Sequence, residues 1–184
     1  MALFDDIKAQ LTARQPLPPL YPTQPWQPAL SQQIADASDA ELFGDATGDP
    51  NLLAACRSGL LLWNDDLDAS HRVSQGLENP TGSFWHAIMH RREGDHANSG
   101  YWWRNTGHHE AFADVYTEAM SVLINESDEQ AKEFAAALQS AGTWSPLEFM
   151  KRSEQKRDGL IAGEWVERVQ VAEMAALLDW CRRA

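Results

Sequence analysis

His86, His90 and Glu93 stand at positions i, i+4 and i+7 of the run Ser83-Phe-Trp-His-Ala-Ile-Met-His-Arg-Arg-Glu93. In a helix, side chains three and four residues apart are neighbours, so this spacing stacks two imidazoles and a carboxylate on one stripe. Two imidazoles one turn apart can chelate a single divalent metal, with zinc, iron, manganese and nickel all compatible with the donor type. A carboxylate one turn further on can complete the set or steady a ligand from behind. His86 and His90 are therefore the candidate metal ligands. Glu93 and His71 are the candidate catalytic groups, His71 reaching the site if the turn at Asn79-Pro80-Thr81-Gly82 returns the chain antiparallel. A His-x-x-x-His pair with no glutamate next to its first histidine is a weak signature, so packed, hydrogen-bonded core histidines are the competing reading.

The surroundings strengthen the case for a site. All six histidines fall between His71 and His109, together with four arginines and three acids, while no lysine occurs between Lys8 and Lys132. Arginine presents a planar fork of donors that matches carboxylate and phosphate, which lysine does not. Arg91 and Arg104 are the candidates to orient an anionic group. Arg91 and Arg92 cannot both face one pocket, because adjacent helical residues point apart. Tyr101 and Trp102 lie in residues 94–107, whose glycines, serine and asparagines predict a loop, and large aromatics on a loop can close over a ligand. His96, His108 and His109 flank this segment, and spacing does not decide which of them joins the site.

Composition narrows the function classes. The chain has 184 residues, 43% hydrophobic and 23% charged, which suits one globular domain with a sizeable core spanning 1–184. Its net charge of −12 argues against a nucleic-acid or anionic-membrane partner and favours a small-molecule ligand, anionic or polar. The two cysteines, Cys56 and Cys181, suggest neither a disulfide framework nor a cysteine-rich zinc site. No apolar run approaches a membrane span, the first residues lack the pattern of a secretion signal, and a cytoplasmic protein is expected. Asn64-Asp-Asp-Leu-Asp68 lacks the glycine and closing glutamate of a calcium loop and reads as helix capping with solvated charge. There is no phosphate-cradling glycine loop and no nucleophile-elbow serine.

The elements that must hold these groups read as helices almost throughout. Leu3, Ile7 and Leu11 open with a 3.6-residue period, and six prolines in 16–28 then impose an extended strap, with Tyr21 and Trp26 to pack it down. Asp49-Pro50 opens a buried helix through Trp63, and Asn64 or Asp65 starts the next. Ser83 is expected to cap the helix bearing the histidines, with Gly94 ending it. Ser127-x-x-Gln130 and Ser145-Pro-x-Glu148 match capping boxes, and a last helix follows Gly163. Strand patterns are scarce. The expected fold is all-α: a single-domain multi-helix bundle with an extended proline-rich N-terminal strap.

The Trp-His-x-Ile-Met-His-Arg-Arg-Glu run at 85–93, with Leu62–His71 before it and Asn98-Ser-Gly-Tyr-Trp-Trp-Arg104 after it, resembles a family of small bacterial and fungal proteins that share this core motif. The resemblance covers about residues 60–109 and implies kinship without an assigned reaction. Helical metal bundles with three histidines, such as the DinB-like proteins, are a fold-level analogy whose ligand order does not map onto this chain. The expectation is a metal-dependent enzyme acting on a small anionic or polar substrate. The alternatives are a metal-free module binding a carboxylate, phosphate or sugar-like ligand, and a structural protein with a polar core.

Overall fold

The computed structural model describes residues 2–44 and 48–184. Eleven helices follow one another among them: α1 (Leu3–Thr12), α2 (Pro28–Asp36), α3 (Asp39–Phe43), α4 (Pro50–Trp63), α5 (Leu67–Ser74), α6 (Pro80–Glu93), α7 (His96–Thr106), α8 (Phe112–Leu123), α9 (Glu129–Ala141), α10 (Pro146–Arg157) and α11 (Trp165–Arg183). No strand occurs among the described residues, and the buried apolar side chains form one continuous core. The all-α expectation therefore holds.

The centre of the bundle is α6, which packs against α4, α5 and α7. It buries every residue from Thr81 to Arg92, so it has no solvent-facing stripe. Helices that are enclosed on all sides normally carry apolar residues all round. Here two histidines and two arginines are enclosed with them, and each must find a partner or a function. Close packing against α4 depends on Gly59: a Cβ there would lie 2.6 Å from the Trp85 ring. Both rigid walls, helix backbone and indole, are large, so no small adjustment would relieve that overlap.

Residues 94–107 differ from the expected loop. Gly94, at φ 90°, ends α6 in the left-handed conformation, and Asp95 immediately caps α7 by accepting the Asn98 N–H at 3.0 Å. The small residues that suggested a turn serve helix packing instead. Ser99 is buried, and its hydroxyl donates to the Ala87 carbonyl of α6 at 2.8 Å. Sequence patterns of Ser, Asn and Gly describe both a turn and a close helix contact, and only the facing helix distinguishes them.

Other boundaries moved for similar reasons. Asn79, not Ser83, caps α6, its side chain accepting the Gly82 N–H at 2.8 Å with Pro80 in the first turn. Asp66 caps α5, ahead of which neither Asn64 nor Asp65 starts a helix. Asp128 rather than Ser127 caps α9, while Ser145 precedes α10 without making a side-chain cap. The strap lies against the body as expected. Leu20 is buried, the Trp26 N–H donates to the Asn64 carbonyl at 2.8 Å, and the Gln170 side chain donates to the Pro19 carbonyl at 3.2 Å.

Candidate metal centre

The short connection between α5 and α6 turns the chain back, and it places His71 opposite His86 and His90. One ligand nitrogen from each of the three lies within 4.8 Å of the others. The His86 and His90 rings, one turn apart, are stacked with centroids 4.8 Å apart and 15° between planes. The His71 ring stands edge-on to both, at 4.7 Å and 5.4 Å. Zinc bonds to imidazole of about 2.0–2.1 Å in a tetrahedron set ligand nitrogens roughly 3.3 Å apart, so small side-chain rotations close the observed triad onto one ion.

Glu93 takes a supporting position. Its carboxylate lies 3.0 Å from Nδ1 of His90, one turn back on α6. With Nδ1 donating to a carboxylate, Nε2 is left as the free nitrogen of that ring, the arrangement that fixes the tautomer of metal-bound histidine. Trp102 of α7 also stacks on the His86 ring, with centroids 3.9 Å apart and 15° between planes. His86 Nδ1 is buried with no hydrogen-bond partner, a deficit that a bound cation or ligand would remove. His71 is partly exposed, and the Glu93 side chain is 54% exposed, so solvent reaches the triad along this edge.

Burial and mutual proximity disfavour charge on His86 and His71. Burial, and then the neighbouring His90 and His71, push the His86 pKa down to about 4. His71 is lowered as well, by burial and by His90, with Glu93 and Asp68 opposing. Neutral imidazoles are the form that binds metal, so His86 and His71 need no deprotonation at neutral pH.

The remaining predicted residues scatter. Arg91 is sealed in the core, donating to Glu173 of α11 at 2.6 Å and lying over the Phe149 ring, so it is not available to orient a substrate. Arg92 is equally buried, bonded to Asp65 and to the Leu62 and Pro19 carbonyls. The arginine island therefore presents no anion-binding face from α6. Arg104 and Tyr101 are exposed on α7, and Arg104 is about 200° around the helix from Trp102, at 100° per residue. It thus faces away from the histidines. His96 binds Glu154 and the Tyr21 hydroxyl, pinning the start of α7 to α10 and the strap. His109 accepts the Ala111 N–H through Nδ1 and donates from Nε2 to Thr81 at 3.0 Å, holding the loop before α8 to the first turn of α6. His108 is exposed.

Two residues escaped the sequence reading. Asp65, read as solvated charge, is buried at φ 65° and held by both Arg14 and Arg92. Glu173 lies fully buried against Arg91, where burial pushes its carboxyl up and the guanidinium opposes that. An isolated glutamate amid the apolar period of α11 is the one signal that pointed to it. Beside the site, a cavity of about 150 Å³ runs between strap residues Pro22–Pro25 and α5, and Glu93 forms part of its wall. Asp65, Asp66 and Asp68 line the rest, so approach from this side favours a neutral or cationic group over an anion. No family model, curated protein or solved structure matches this chain.

Proposed function

We propose that His71, His86 and His90 bind a divalent metal and that the protein is a metal-dependent enzyme acting on a small polar substrate. The observation that carries this reading is the convergence of three imidazoles from two helices, with one of them held from behind by Glu93. Three histidine ligands leave a coordination position for water or substrate, and a bound metal of this kind lowers the pKa of its water toward about 7. Glu93 orients His90, and its exposed edge places it to accept a proton from a group entering beside the triad. The acidic cavity next to it favours a polar or cationic substrate over the anionic one expected from the arginine content. A cytoplasmic, reducing setting fits the two unpaired, buried cysteines.

A metal-free reading draws on the Trp102–His86 stack, a platform against which a flat ligand could slide. Elemental analysis separates the two. The native protein is expected to carry one equivalent of metal and to melt higher with added Zn²⁺ than with chelator. His86→Ala and His90→Ala are each expected to abolish both effects. Unchanged metal content in these variants, or none in the native protein and no shift on adding metal, overturns the proposal.

A further inference from the structure

Arg104, singled out by the sequence and left unused by the histidine site, lines a separate groove. The groove encloses about 300 Å³ between the end of α7, the start of α8 and the α9–α10 turn. Its apolar walls include Trp103, Phe112, Trp144 and Leu147, and its polar lining residues are Arg104, Thr143 and Ser145. That volume is at the lower end of the range for small-molecule sites, and the makeup, apolar walls with a few converging polar groups, is the usual one.

Three observations give the groove a chemistry. Arg104 makes no ion pair among the described residues, and its guanidinium lies back along α7, over the Tyr101 ring at 5.9 Å and beside Gly100. Asp and Glu outnumber Lys and Arg by 27 to 15, so a free arginine here reflects position and not a shortage of acids. Ser145, placed to cap α10, makes no side-chain cap bond among the described residues and lines the groove. Finally, Leu147 is 54% exposed although it forms part of an apolar wall, and at Gly107 a Cβ would meet nothing within 4 Å, leaving the mouth open. An occupant complementary to this surface has an apolar body for the indole, phenyl and leucine walls, and one anionic end for the arginine fork and serine hydroxyl. The geometry points to a second, metal-independent binding site, between α7 and the α9–α10 turn, for an amphiphilic monocarboxylate of medium-chain fatty acid or arylacetic acid type.

Titration of the full chain with octanoate, 1-octanol and octylamine, followed by calorimetry and by the indole N–H resonances of Trp103 and Trp144, tests this. Chelator is present throughout, and the titration is repeated with His86→Ala, so that a carboxylate bound to metal is not mistaken for this site. Saturable octanoate binding is expected, with both indole resonances perturbed and with the same affinity in His86→Ala. Arg104→Gln is expected to weaken octanoate by roughly tenfold or more, the loss of a charge-assisted pair, and to leave octanol unchanged. Leu147→Glu, at an exposed position that tolerates charge in the fold, should abolish octanoate binding. No saturable binding at millimolar octanoate overturns the proposal. So does equal affinity for octylamine, or octanoate affinity indifferent to Arg104→Gln. Failure of the histidine site would leave every one of these results unchanged.

Discussion

Two sets of polar side chains are buried on α6, and they are treated in opposite ways. Arg91 and Arg92 face Glu173 and Asp65, and Arg14 joins Asp65 from the other side, so each of these three guanidiniums meets a carboxylate. His71, His86 and His90 face one another, with a single carboxylate at the rim. The first set is closed in charge: opposite charges cancel locally and further bonds go to backbone carbonyls of α4 and the strap, although Arg14 Nε, Arg91 Nε and Nη1, Arg92 Nε and Glu173 Oε1 have no partner among the described residues. The second is open: like groups converge with no opposite charge between them, His90 and His71 disfavouring protonation of His86 and His90 that of His71. Paired opposite charges specify structure, whereas like titratable groups that converge without an opposite charge between them mark a place for something else to bind.

The largest expected effect tests the closed set. Asp65→Ala leaves Arg14 and Arg92 buried without their shared carboxylate, and about 3–5 kcal/mol of stability should be lost in urea unfolding. That is a large part of the roughly 5–15 kcal/mol available to a domain of ordinary stability. A loss under about 1 kcal/mol, within the range of surface substitutions, would show that these pairs do not hold the strap to α4 and α6.

Glu93→Gln sharpens the contrast from the open side. Its carboxylate is half-exposed and serves His90, so unfolding in chelator should barely change. Metal affinity, measured by competition with a chromophoric chelator, should fall by about 10–100-fold, as expected when the support behind a ligand imidazole is weakened. A variant that unfolds as readily as Asp65→Ala while binding metal normally would place Glu93 in the structural set.

A third effect is in pH dependence. His86 and His109 have folded pKa values depressed from 6.5 to about 4, chiefly by burial. A base depressed in this way is neutral in the native state and protonated in the unfolded state between those values. Acid therefore favours unfolding. The metal-free protein should lose stability as pH falls from about 6.5 towards about 4, with no contribution from these groups above that window. His109→Gln, which removes one of the two, should flatten the slope without changing metal binding. An unaltered slope would mean that His109 titrates normally and that its bonds to Thr81 and Ala111 do not constrain its protonation.

Much of the site was legible because it depends on local geometry. The i, i+4, i+7 spacing of His86, His90 and Glu93 needs only a helix to bring the three together, and proline and glycine at 80 and 94 bound that helix. His71 followed from one further step, a tight antiparallel return. Trp102 was picked out as an aromatic but placed on a loop, since nothing within 94–107 reveals that Ser99 packs on Ala87. The arginines were misread for a deeper reason. A guanidinium suits a substrate carboxylate and an internal one equally well, and the partners of Arg91 and Arg92 lie 82 and 27 residues away in sequence.

The amino-acid order by itself determined the helical class, the extended proline strap and the pairing of two imidazoles with an acid, because each follows from backbone preference or from the pitch of one helix. Tertiary structure alone decided which charged groups are spent on one another, which histidines pin elements together and which remain free. Those outcomes rest on burial and on long-range neighbours: desolvation makes a buried charge seek an opposite one, and only the folded chain determines whether the neighbour supplied is Glu173, Asp65 or another histidine.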